Sequence, residues 1–180
     1  MTGKMSLIRY ALLALTAALA SGAANAHSAS DAYLTLVEPA RADQTRNETL
    51  LHVQWDIALR DLDFVLKLDD NGDGDIVWGE LRRHQKAIAQ YAFQYLKADG
   101  DGKSCHILPT GQKVDNHADG AYASLTFDIR CPGFPRRLGL DYRLFFAIDP
   151  SHRAIVVLHN ADNIATALLS SDKPQIDLGL

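Results

Sequence analysis

The sequence predicts an α+β fold, a mostly antiparallel β-sandwich with one inserted helix–loop–helix. Three observations carry that reading. Short apolar–polar alternations recur through most of the 180 residues, with turn residues between them, the pattern of a sandwich built from many short strands. One region, about 58–98, changes to helical spacing. An Asp/Gly-rich stretch cuts that region in two. The length suits one domain with a real core, and the composition is that of an ordinary globular chain. A net charge of −4 with no block of like charge argues against a nucleic-acid surface.

Residues 1–26 read as a signal peptide. Lys4 and Arg9 precede an apolar run from Tyr10 to Ala20, and Ala24-Asn25-Ala26 supplies a small-x-small cleavage site. The run is short for a membrane span, which takes about 20 residues. Cleavage after Ala26 would leave residues 27–180 as one domain, with no transmembrane segment, in the periplasm or outside the cell. It would also take the net charge from −4 to −6 by removing Lys4 and Arg9. Residues 56–80 hold eight acidic side chains against Arg60 and Lys67. The excess negative charge therefore gathers at one segment, as a cation site would require.

The first strand is expected over Asp31–Glu38. Leu51, Val53, Trp55 and Ile57 alternate with His52, Gln54 and Asp56 and give a half-buried second strand. The helical region follows, from about Ala58 to Lys97. Asp99–Lys103 then reads as a helix-ending turn. Cys105 and Ile107 begin the next β segment, and Asp119-Gly120 is a hairpin signal. Ala123 to Cys131 is the cleanest alternation in the chain. Pro132–Pro135 is a loop. Tyr142, Leu144, Phe146 and Ile148 predict a further strand, turned by Asp149-Pro150-Ser151. Ala154–Leu158 and Ile164–Leu169 close the pattern, with a turn at Asn160–Asn163. The two cysteines fall on apolar phases, and an exported chain favours a Cys105–Cys131 disulfide.

The strongest chemical signal is Asp69-Asp70-Asn71-Gly72-Asp73-Gly74-Asp75-Ile76-Val77-Trp78-Gly79-Glu80. It satisfies D-x-[DN]-x-[DN]-G-x₅-E throughout. Ca²⁺ is a hard cation that takes six to eight oxygens at about 2.3–2.6 Å. Asp69, Asn71 and Asp73 would offer side-chain oxygens, Asp75 its backbone carbonyl and Glu80 a bidentate carboxylate. Val77 has no side-chain oxygen, so water would fill that position. Leu68, Val65 and Phe64 stand where an entering helix needs apolar residues; Asp61 stands where another would be usual. Residues 61–92 thus resemble an EF-hand. EF-hands generally work in pairs, Ile76 being the residue that would meet a partner loop, and no second loop is visible. A lone site in a Ca²⁺-rich compartment implies a structural ion.

A wider resemblance covers the exported part. Ser30–Leu36, Trp55–Asp63, Trp78-Gly79-Glu80, Asp119–Tyr122 and Leu140-Asp141-Tyr142 are similar to the exported domain of bacterial proteins fused or adjacent to HupE/UreJ-type membrane proteins. Those membrane proteins are associated with nickel or cobalt uptake. The resemblance implies a periplasmic accessory module with such a protein as partner, and no reaction. An alternative function stays open. If His27 became the N-terminus, its amine and imidazole, with Asp115 and His117, could hold copper or nickel, an arrangement resembling CopC-like copper proteins. His52 and His106 lie on polar strand phases, His84 reads as part of a solvated face beside Arg82 and Arg83, and His152 and His159 have no partner at ligand spacing. GxSxG, HExxH and Walker loops are absent, so no enzymatic activity is expected.

Overall fold

Trp55 marks the centre of the molecule: its indole is fully buried and meets Tyr142, Phe93 and Phe127 edge-on, with ring centroids 5.6–6.4 Å apart. It sits on β2 (Glu48–Ala58), and those three partners come from three other parts of the chain. The computed structural model describes residues 30–39, 47–160 and 163–180. The expected signal peptide and His27 lie outside them.

Among the described residues, ten strands form two sheets. The larger has the order β5-β6-β2-β1-β8-β9, where β1 is Asp31–Val37, β5 His106–His117, β6 Gly120–Pro132, β8 Arg153–His159 and β9 Ile164–Ser170. All its neighbours are antiparallel except β1 and β8. The smaller sheet has the order β10-β7-β3-β4, with β3 Leu96–Gly100, β4 Lys103–Ser104, β7 Arg137–Tyr142 and β10 Gln175–Gly179. Leu51, Val53, Trp55 and Ile57 of β2 are buried in alternation, and β6 answers with Ala123, Leu125, Phe127, Ile129 and Cys131. One continuous core joins these residues to Leu138, Leu140 and Tyr142 of the smaller sheet and to Leu62, Leu81 and Ile88 of the helices. The expectation of a mostly β, sandwich-like α+β fold holds at this level.

Among the described residues the helices are α1 (Leu59–Leu66) and α2 (Trp78–Phe93). They fall between β2 and β3, as the change of period predicts. Leu59 and Leu62 anchor α1, while Leu81, Ile88 and Ala92 form the buried stripe of α2. Phe64, expected to face inward, is 68% exposed.

Several local expectations need correction. The helical region does not reach Lys97: Leu96, Ala98 and Gly100 alternate inward on β3 against β7. Asp99–Lys103 is consequently a hairpin. Asp101 and Gly102 both have positive φ, 48° and 81°, the demand of a two-residue type I′ turn that Asp-Gly suits. The strand expected over Tyr142–Ile148 also fails. Its apolar alternation begins earlier, at Leu138, and the chain leaves the sheet after Tyr142. Phe145 then takes φ 62°, which buries Leu144 and Phe145 side by side where a strand would separate them. Finally, β10 closes the smaller sheet through Ile176 and Leu178, an alternation too short to stand out.

The disulfide is present: Cys105 and Cys131 are bonded, 26 residues apart in sequence. Cys105 lies in the break between β4 and β5, so the bridge ties that crossing between sheets to β6. Both cysteines are buried.

Candidate functional site

The acidic loop runs from the end of α1 to the start of α2. Lys67 ends α1 in the left-handed conformation, and Asp63 Oδ1 accepts hydrogen bonds from the Leu68 and Asp69 backbone N–H groups. The loop then curls by bonding to itself. Asp69 Oδ1 accepts from Gly72 N–H and Oδ2 from Gly74 N–H. Asn71 Oδ1 accepts from Asp73 N–H, and Asp73 Oδ1 from Asp75 N–H. Gly74 has φ 91° and open space where a Cβ would sit, so its backbone, and not crowding, selects glycine.

Glu80 closes the ring. It occupies the first turn of α2, is 2% exposed, and reaches back to accept from Asp70 N–H at 3.0 Å and Val77 N–H at 3.0 Å. Bonds from the Gly74 backbone first, then Gly72, hold the Asp69 carboxyl below the usual carboxylate range. Asp70 points the other way. It binds Arg83 through Nε and one terminal nitrogen, 2.8 and 2.6 Å, and His84 Nε2 at 2.8 Å. His84, expected on a solvated face, thus helps clamp the loop to α2. Its imidazole, followed by Arg83, keeps the Asp70 carboxyl low.

These donors are hard oxygens, suited to Ca²⁺. The bonds drawn above take one lone pair on most of the carboxylate oxygens involved, and each such oxygen carries two. No cluster of three His, Cys, Asp or Glu side chains stands ready-made for a metal among the described residues. Ile76 is half-buried and packs against the domain core, and a crevice of about 270 Å³ separates Gly74, Asp75 and Ile76 from Asp119–Tyr122 of the β5–β6 hairpin. The domain itself thus adjoins Ile76, the residue for which the sequence offered no partner loop.

Asp115 and His117 lie on one side of β5 but face different partners. Asp115 bonds Lys113 Nζ at 3.3 Å, which with the Asn116 N–H lowers its carboxyl. His117 stacks on Tyr122, ring centroids 4.1 Å apart, and stands 3.4 Å from Asp56 Oδ2. His52 is exposed and bonds Asp128 Oδ1 at 2.8 Å.

A second polar group has no motif behind it. His152 is fully buried. Its Nδ1 lies 2.6 Å from Ser30 Oγ and its Nε2 2.7 Å from the Tyr142 hydroxyl. Ser30 Oγ in turn donates to Asp61 Oδ2 at 2.8 Å. Since the Ser30 proton goes to Asp61, His152 must carry its own on Nδ1 and accept from Tyr142 at Nε2. Burial pushes the His152 imidazole down to about 4 and raises the Asp61 carboxyl. The sole sequence trace of this chain is a charged residue, Asp61, at a helical position that usually holds an apolar one.

No helix among the described residues is long and apolar enough to cross a membrane. No protein-family model matches the chain, and no curated protein matches it.

Proposed function

We infer that the loop from Asp69 to Glu80 is an EF-hand site for one Ca²⁺ in an exported accessory module, and that the ion is structural. The observation that carries this is Glu80: a buried carboxylate at the twelfth position, folded back onto the backbone of the second and ninth. Asp69, Asn71, Asp73, Glu80 and the carbonyl of Asp75 would hold the ion, with water opposite Val77. Bound Ca²⁺ would supply a fixed divalent charge that offsets the loop carboxylates and ties the end of α1 to the start of α2. Affinity on the order of 10⁻⁴–10⁻³ M suffices outside the cell. The disulfide supports an oxidising location. The resemblance around Trp55–Asp63 and Asp119–Tyr122 supports a HupE/UreJ-type membrane protein as partner, and the module is assigned no reaction of its own.

Calorimetric titration of metal-free protein with Ca²⁺ tests the reading. One site is expected, and Glu80→Gln should lose most of the affinity. Wild-type protein that takes up no Ca²⁺ at millimolar concentration would sink it.

A further inference from the structure

The buried chain through His152 ends at an open cleft. Asp61, its last member, lines a cavity of about 370 Å³ with Ser30, Arg60, Phe64, Phe145, Ile148 and Asp149. The size is that of a small-molecule site. Its walls are apolar and unusually bare: Phe64 is 68% exposed and Ile148 49%. Phe145 holds φ 62°, a left-handed backbone that is a genuine outlier for a bulky side chain and one that persists where the surroundings impose it. Its ring is set edge-on against His152, centroids 5.0 Å apart.

The cleft lining carries two carboxylates against the one guanidinium of Arg60, a net negative balance. Asp61 and Asp149 both face the cleft, and Asp149 contributes to the raised Asp61 carboxyl. Arg60 is shared, with Nε 3.6 Å from Asp61 Oδ1 and one terminal nitrogen 3.8 Å from Asp119 Oδ2. Ser30 fixes Asp61 Oδ2, and Ser151 holds Asp149 Oδ1 through its hydroxyl and N–H. Each carboxylate is thereby oriented, and the second Asp61 oxygen faces Arg60. Phe64 already takes part in one cation–π contact, Lys67 Nζ lying 5.5 Å from its ring centroid.

We propose that this cleft binds a small organic ammonium ion, its head between Asp61 and Asp149 and its apolar body against Phe64, Phe145 and Ile148. A metal ion would leave those walls unused. An anion would meet two carboxylates. A neutral apolar ligand would leave two carboxylates against one guanidinium, an excess negative charge without compensation. The cleft shares no residue with the acidic loop, so the proposal stands or falls independently of Ca²⁺ binding.

The test titrates Ca²⁺-saturated protein with 2-phenylethylammonium, followed by calorimetry and by NMR shifts of Ile148. The neutral analogue 2-phenylethanol is the control. The cation should bind at least tenfold more tightly than the alcohol. Asp149→Asn and Phe64→Ala, neither in the buried core, should each weaken it at least fivefold while leaving the unfolding midpoint unchanged, and Asp149→Asn should also leave Ca²⁺ affinity unchanged. Equal binding of cation and alcohol overturns the proposal. So does cation binding that survives both substitutions, or none at 10 mM ligand, a concentration chosen at about the weak limit for such sites.

Discussion

Asp61 and Asp69 stand at the two ends of α1, and the molecule pushes their carboxyls in opposite directions. Asp69 lies at the surface and is lowered by N–H groups within its own loop. Asp61 is raised by burial, and its hydroxyl partner Ser30 lies 31 residues away in sequence. The loop is thus a local object that a short segment builds alone. The Ser30–Asp61–His152–Tyr142 chain exists only once β1, α1, β7 and the approach to β8 have met, and Ser30 and His152 are separated by 122 residues. Local bonds tolerate loss because water replaces them; buried long-range bonds do not.

The largest expected effect follows from that contrast. His152→Leu keeps the bulk but leaves the Tyr142 hydroxyl without its partner in the core and takes one of two bonds from Ser30, which keeps Asp61. We expect a loss of about 3–4 kcal/mol, on the scale of one orphaned buried polar group plus one lost hydrogen bond. Asn71→Ala in the loop, in metal-free protein, should stay within about 0.5 kcal/mol. Urea unfolding of both variants measures the ratio. Equal losses would erase the distinction between the two regions.

The disulfide is a second long-range tie. Replacing Cys105 and Cys131 together by serine should cost about 3 kcal/mol in the chain-entropy account of a loop this size. The unfolding midpoint should fall, while Ca²⁺ affinity, if the loop is local, should not change.

Acid discriminates next. His152 is held near 4 when folded and relaxes toward 6.5 when unfolded, so the unfolded chain takes up the proton first. Stability is then complete above the unfolded value and is lost as pH falls from 6.5 toward 4. Between pH 7 and 5 the loss is about 2 kcal/mol. Asp61 runs the other way, since a raised carboxyl favours the folded state as it protonates. Asp69, being lowered, loses its contribution only in stronger acid, below the ordinary carboxylate range. The His152→Leu variant should lack the slope between pH 7 and 5; a slope that persists would assign it elsewhere.

The same contrast explains what could be read from residues alone. The loop stood out as a candidate because its oxygen-bearing residues, its glycine and its closing Glu80 all lie within one short segment. The strands of the larger sheet were legible because β2 and β6 alternate cleanly over their length. The strand expected over Tyr142–Ile148 misled because alternation records side-chain polarity, whereas the turn there depends on Phe145 adopting a positive φ and packing on His152. His152 itself gave no signal. A buried histidine is recognisable by its partners, and its partners are distant in sequence. Asp61 was the trace, an acid where the helix wanted an apolar residue, and its meaning required Ser30 to be beside it.

The smallest effect probes the loop's own backbone. Gly74 holds φ 91° with nothing within 4 Å of the place a methyl group would take, so Gly74→Ala meets no steric neighbour and costs only the conformational preference, about 1 kcal/mol. In metal-free protein that is all that should appear. With Ca²⁺ present the cost should become visible as weaker binding, because the Gly74 N–H that holds Asp69 Oδ2 depends on the same backbone angle. A variant that loses stability by several kcal/mol without Ca²⁺ would mean that the loop is wired into the core after all, and that the separation between the two ends of α1 is less complete than its hydrogen bonds indicate.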